Sequence, residues 1–507
     1  MLDKIKKNKK DICIYFLILL FSVIMCHNFL RMHYASDTWA SIDMGYTKYA
    51  NDFFLGDVRI FSAFSLYIAD FLNLSIETFV VVMEFLAIII SCISVMIIYK
   101  LFVKLLNIED KKIYKYMTLI GSYIIIFSHH SIEYYLFQES AIMCLSILFN
   151  ILATRMLHSD NKGRIVKSGA LLLMATFCYQ GNLGIFVVIN ILITFIKEKS
   201  FKDTVKEIFK MLVLYGVVCL INIFTMKLIN NLILNQEQYR ITLTFDILVK
   251  YYRGVSNFIK VFVYSFNFIK PYTNFVVVGI TMGIMLLVKV KFKYYIEYIF
   301  LIITGIGMCL YYDLFTTNIV YFQSRICSSV GILWGVAIIF LLSIASRKKD
   351  DKKWVVSLIM IFAVSLYLYT DYTYIKLSRN HIYANSVYIK TGNAIKKKVE
   401  EYETKTSKTV KYVSFYTDKE IYAQTISNEM NVYPLPKNVL NVGALTENPM
   451  HKAYCYTEYL NYFLQRDFEY KDIEHDIYLK YFKECDWDTF DETQILVDNE
   501  TVYIATY

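Results

Sequence analysis

The chain opens MLDKIKKNKKDICIYFLILLFSVIMCHNFL (residues 1–30): Lys4, Lys6, Lys7, Lys9 and Lys10, then a run over 12–30 with no Asp, Glu, Lys or Arg. About 20 apolar helical residues cross a bilayer, and Lys and Arg gather on the cytoplasmic side. The stretch therefore predicts a first span with the N-terminus inside. Its apolar run exceeds the roughly 7–15 residues of a signal-peptide core, and no small-x-small site follows, so it is expected to stay uncleaved.

The rest of the chain repeats this pattern. Of 507 residues, 56% are hydrophobic and 19% charged, against about 45–50% and about 25% in soluble chains. Apolar runs recur at 79–103, 212–234 and 331–344, and Pro and Gly are scarce at 4 and 17. The net charge of +9 sits in short basic blocks between these runs, as topology signals do. No nucleic-acid-binding module accompanies it, so no nucleic acid is expected as partner. Of ten cysteines, Cys13, Cys26, Cys92, Cys144, Cys178, Cys219, Cys309 and Cys327 fall in or beside apolar segments, where thiols act as small hydrophobes. Cys455 and Cys485 lie in the polar tail, with pairing left open. No metal-ligand spacing is present; no cofactor is expected and a divalent metal has no support.

The basic blocks thread the chain. Residues 31–59 should lie outside and 100–115 inside, so one crossing, 79–103, separates them. Residues 60–74 then read as an interfacial or re-entrant helix continuing the loop. Further crossings follow at 113–127, 136–157, 168–180, 183–196, 212–234, 272–288, 294–310, 326–344 and 354–369, about eleven in all, with the C-terminus outside. A long external segment, 235–270, carries Arg240, Lys250, Arg253 and Lys260 against the charge bias, which points to an anionic lipid or phosphate partner. After Thr370 the composition becomes charged and tyrosine-rich. Helical spacing over 380–402, strands at 411–416 and 437–442, and a hairpin 495–497/501–504 about Asp498-Asn499-Glu500 predict a small α/β domain. The expected fold is mainly α: a polytopic transmembrane helical domain (1–371, with an external catalytic loop and interfacial helix at 31–74) followed by an α/β extracytoplasmic domain (372–507).

Candidate chemistry concentrates in RMHYASDTWASIDMGYTKYANDFFLGDVR (residues 31–59), with Asp37, Asp43, Asp52 and Asp57 among aromatic residues. An aspartate fixed at a membrane surface can serve as general base on a sugar hydroxyl. Asp37 leads and Asp43 follows; for Asp52 and Asp57 plain solvation is the simpler account. Glu133, in His129-His130-Ser131-Ile132-Glu133, occupies the second external turn, its neighbour Glu139 begins the returning span, and Glu84 sits inside the 79–103 run. Ionisable groups at membrane depth point to function, here the lining of a substrate cavity. The adjacent histidines fit metal poorly, since neighbouring helix positions point different ways. Tyr179-Gln180, where two short helices meet, can line the same cavity, or merely bond helix to helix. Arg325 opens a late span; a guanidinium grips phosphate bidentately, though a snorkelling anchor is the alternative.

This order of features resembles the type II O-antigen glucosyltransferase family, polytopic enzymes of the GT-C class. It runs from a first span to an external loop with Asp37 and Gly56-Asp57-Val58-Arg59, then a mid-chain Tyr179-Gln180, an arginine (Arg325) opening a late span, and a polar tail ending in a hairpin. Here Thr38 follows Asp37 where the family pairs aspartates, and two residues separate Gly56 from Arg59. The resemblance implies a glycosyltransferase of a bacterial plasma membrane. It would move a sugar, typically glucose, from a polyprenyl-phosphate donor to a surface polysaccharide or other glycan acceptor. Asp37 or Asp43 would be the base, and Arg59, Arg325, Lys250 and Arg253 the donor-phosphate ligands. No nucleotide-sugar fold is expected, so neither is a nucleotide donor. The rival functions are a polysaccharide polymerase, a lipid-linked sugar flippase or transporter (which should show repeated broken helices), and a sensor reading a ligand through its tail.

Overall fold

The computed structural model describes residues 2–234, 259, 261–309, 323–347, 353–417, 456–472, 474–484 and 492–506. The structure is mostly helical with a small sheet. A first helix α1 (Leu2–Cys26) is followed by two short ones, α2 (Ser36–Met44) and α3 (Tyr46–Tyr49), and by the amphipathic α4 (Ile60–Phe71). Then come α5 (Ile76–Leu105), α6 (Lys112–Ile126), α7 (Ser140–Leu157), α8 (Arg164–Cys178), α9 (Leu183–Ile196), α10 (Phe201–Ile229), α11 (Thr273–Leu287), α12 (Phe292–Cys309), α13 (Leu333–Arg347) and α14 (Lys353–Thr406). Each apolar run singled out in the sequence has its helix. Among the described residues six helical stretches are long and apolar enough to cross a membrane: Ile76–Leu105, Ser140–Leu157, Phe201–Leu234, Phe292–Cys309, Ser328–Arg347 and Lys353–Thr406.

Local signals set the helix ends. The Ser75 hydroxyl accepts from the Thr78 N–H at 3.3 Å, and Glu77 and Lys104 sit in the first and last turns of α5, each complementing the helix dipole. Ser200 caps α10 in the same way, accepting from the Asp203 N–H at 3.2 Å. α9 and almost all of α13 are buried on every side, as apolar-all-round helices at a core should be. By contrast α10 and α12 leave Leu220, Phe224, Ile296 and Ile303 exposed, a surface suited to lipid. α6 and α13 cross closely at glycines. A Cβ on Gly335 would collide with the carbonyl oxygen of Gly121, and one on Gly121 would meet Ile339 Cδ1 at 2.9 Å.

The boundary expected at 371/372 falls inside one continuous 54-residue helix, α14, and the helix predicted over 380–402 is its upper part. Nothing between Tyr369 and Asn380 breaks a helix. Its lower half is tied to the bundle: Tyr374 donates to the Ser128 carbonyl at 3.1 Å, and Asn28 Nδ2 to Ser378 Oγ at 3.1 Å. Its upper half carries Tyr388, Ile395 and Val399 into a second core with β1 (Tyr412–Thr417), α15 (Tyr456–Leu464) and two final strands, β3 (Ile495–Asp498) and β4 (Thr501–Thr506). With β2 (Glu469–Tyr470) the sheet order is β2-β1-β4-β3, with β1 parallel to both its neighbours and β3 antiparallel to β4. The hairpin turn falls at Asn499 and Glu500, both at positive φ, as a two-residue turn requires. The strand expected at 437–442 and the cysteines Cys455 and Cys485 lie outside the described residues.

Candidate active site

α2 presents the first acid. Asp37 stands in its first turn, half-buried, where the helix dipole favours a negative charge. Two residues on, Trp39 fixes the helix. Its ring stacks on Tyr34 at 4.2 Å and meets Tyr459, Tyr462 and Phe463 at 5.3, 5.1 and 6.0 Å. The C-terminal unit therefore grips the helix that carries Asp37. Asp43, six positions along, falls on another face of α2. It is exposed and accepts from Asn461 Nδ2 on α15 at 2.9 Å. The two aspartates expected to share a role are thus turned apart. Asp52 is exposed and Asp57 is buried.

The turn before α4 presents a cation. Val58 adopts φ 58°, a left-handed conformation costly for a β-branched residue. Three contacts hold it there. Gln180 Nε2 donates to the Asp57 carbonyl at 2.6 Å, Asn230 Nδ2 to the Gly56 carbonyl at 2.9 Å, and the Val58 side chain is buried against Met226 and Ile229. Backbone strain kept by such bracing clusters at functional sites. Here it aims Arg59, whose guanidinium lies 5.1 Å from the Tyr179 ring and 5.9 Å from Phe54. Arg59 reaches Asp57 at 4.0 Å and Glu139 at 3.7 Å.

Glu139 immediately precedes α7 and is buried. Neither of its oxygens accepts a hydrogen bond from a described side chain. Burial and the nearby Asp37 charge push its pKa up to about 7, against the pull of Arg59 and Arg325. Below it, Glu84 of α5 is buried beside Ser140. Glu133 and Arg325 form a separate pair: Nη1 meets Oε1 at 2.6 Å and the Arg325 backbone N–H donates to Oε2 at 2.7 Å, with the guanidinium 4.4 Å from Phe137. Tyr134 joins this arrangement to the α8–α9 turn by donating to Asn182 Oδ1 at 2.5 Å and to the Arg325 carbonyl at 3.0 Å.

His129 and His130 lie ring against ring at 4.4 Å, His129 on Trp334 at 4.7 Å, and His130 Nδ1 is 2.8 Å from Ser324 Oγ. Burial drives both imidazoles toward the neutral form, His129 down to about 3. Among the described residues no three His, Cys, Asp or Glu side chains are grouped to hold a metal ion.

The structure thus gathers Asp37, Arg59, Tyr179 and Gln180 of the residues marked in the sequence, with Glu133 and Arg325 alongside and Glu84 beneath. It turns Asp43 away, and Lys250 and Arg253 lie outside the described residues. Glu139, marked in the sequence only as an acid opening an apolar run beside Glu133, is brought within 3.7 Å of Arg59. Compared with protein-family models, curated proteins and solved structures, the chain matches none.

Proposed function

We propose that the chain is a multi-pass glycosyltransferase of the bacterial plasma membrane, with its N-terminus cytoplasmic and its C-terminal unit outside. It moves a sugar, glucose by the resemblance to the O-antigen glucosyltransferases, from a polyprenyl-phosphate carrier to an envelope glycan. The observation that carries this reading is Arg59, braced on a strained turn beside Asp37 and Glu139. One cation and a half-exposed base lie together among aromatic side chains, next to apolar helices able to hold a lipid tail.

The reaction is a single inverting displacement. Asp37 takes the proton of the acceptor hydroxyl, whose oxygen bonds to the anomeric carbon as the bond from that carbon to the phosphate oxygen breaks. The lipid phosphate leaves with the electron pair, and Arg59 stabilises the charge it gains, an interaction of the kind worth about 3–4 kcal/mol per donor. Arg325, already committed to Glu133, shapes the wall of the site and adds its positive field. Tyr179 flanks Arg59, where its ring can also face the sugar. Supporting this division, Arg325 meets Glu133 at 2.6 Å and is shielded with it, while Arg59 stands 3.7 Å from Glu139 beside the Tyr179 ring.

The test is Asp37→Asn in the native host with linkage analysis of the envelope glycan. Loss of one sugar linkage, with the protein still made, is expected. An unchanged glycan overturns the assignment, and precursors stalled on one side of the membrane would indicate a flippase.

A further inference from the structure

Glu139 has no task in the displacement just described, yet its placement is costly. A buried carboxylate that accepts from no described side chain is disfavoured by several kcal/mol unless it is paired or protonated. Its close cation among the described residues, Arg59 at 3.7 Å, is also the group assigned to the donor phosphate. Both anions cannot hold the same guanidinium equally well.

We infer that donor binding is an exchange at Arg59: the phosphate diester takes the guanidinium from Glu139, and Glu139 takes up a proton in its place. This rests on Arg59 as the phosphate ligand. The groups facing Glu139 make the exchange directional. From α2 Asp37 raises its proton affinity; from the turn before α4 Arg59 lowers it; from the turn after Gln323 Arg325 lowers it more weakly. Arg325 is itself neutralised by Glu133, and Glu84 lies behind Ser140 with another acid. Once Arg59 turns to the phosphate, Asp37 and the new anion both favour the protonated form. No covalent step is involved: where Glu139 is ionised, a proton enters from solvent as the donor binds and is given back as the lipid phosphate leaves. The exchange also removes a negative charge beside Asp37 as the acceptor arrives.

The linkage has a definite sign. A unit or more below its pKa of about 7, Glu139 is already protonated and binding is independent of pH. Above pH 7 each binding event must draw in a proton, so affinity falls by up to about tenfold per pH unit. The experiment measures binding of farnesyl-phosphoryl-glucose, a diester whose single charge does not titrate in this range, to the purified full-length protein in detergent between about pH 5.5 and 8.5. Wild type should lose affinity above neutrality, while Glu139→Gln, a permanent stand-in for the protonated acid, should bind at every pH as wild type does at its acidic limit. A Glu139→Gln profile with the wild-type slope overturns the exchange. So does a flat wild-type profile; if Arg59→Gln then abolishes binding, the phosphate assignment stands and the exchange alone fails. Binding that is absent, or indifferent to Arg59→Gln, overturns both.

Discussion

Arg325 and Glu133, 192 positions apart, are joined twice, once through the guanidinium at 2.6 Å and once through the Arg325 backbone N–H at 2.7 Å. Both side chains are almost wholly shielded, at 9% and 1% exposed. Removing one partner strands a buried charge, at a cost of about 3–5 kcal/mol. Glu133→Ala should therefore lower the melting temperature in detergent strongly. The double variant Glu133→Gln with Arg325→Met, which leaves no charge behind, should recover much of the loss. Equal melting points for the two would remove the pair from the stability account.

Asp37 and Asp43 should behave differently. General bases contribute about 10²–10⁴-fold, so Asp37→Asn is expected to cut sugar transfer by at least two orders of magnitude. Asp43→Asn keeps an oxygen to accept from Asn461 on the surface and should stay within a few-fold of wild type. Transfer measured with a lipid-linked donor in membranes decides between them.

Trp39→Ala should separate the C-terminal unit from α2. Deleting a buried tryptophan costs about 3–5 kcal/mol, and the freed surfaces include Tyr34, Tyr459 and Phe463. Limited proteolysis should cut the tail faster than in wild type, and transfer should fall because Asp37 is no longer held. A tail as protected as before would show that the grip is not confined to this ring.

The Arg59 turn depends on its braces. Gln180→Leu removes the hydrogen bond to the Asp57 carbonyl, a loss of about 0.5–1.5 kcal/mol, and lets Val58 relax. The expected result is a rise of roughly tenfold in KM for the donor, with a smaller change in kcat. A purely structural role would lower the amount of folded protein and leave KM untouched.

Glu139 makes stability depend on pH. Burial and the charge on Asp37 hold its native pKa at about 7, above the ordinary glutamate value of 4.5. The native state therefore binds the extra proton between these values, and the advantage present below about pH 4.5 is lost as pH rises through 7, up to about 3 kcal/mol for a shift of this size. Melting temperature should decline over that window in wild type and decline less in Glu139→Gln.

Much of this fold is written locally. Apolar runs and basic blocks place the helices, and Asp498-Asn499-Glu500 marks the hairpin, because length, charge and turn chemistry are properties of neighbours. The continuity of α14 was also within reach, since residues 370–380 hold no helix breaker, but a change in composition masked it. The site is less legible. Six residues on a helix already place Asp37 and Asp43 on different faces, a periodicity that applies only once α2 is known to be helical. Glu139 acquires meaning only from Arg59, far away in the chain, and Glu133 only from Arg325. Val58 gives no hint of its φ, which its distant braces impose.

The length of α14 has a mechanical consequence. Tyr374 anchors its lower half to the Ser128 carbonyl, and Gly392 lets Phe463 lie against its upper half, where a Cβ would collide with the ring. Between them runs an uninterrupted shaft, so rotation at one end is delivered to the other. One residue inserted near Arg379 would turn the C-terminal unit by about 100° and raise it about 1.5 Å, whereas seven would restore its bearing to within about 20° and raise it about 10 Å. Angle and height above the bundle are thereby separable quantities, and Asp37, clasped through Trp39, is indexed to both.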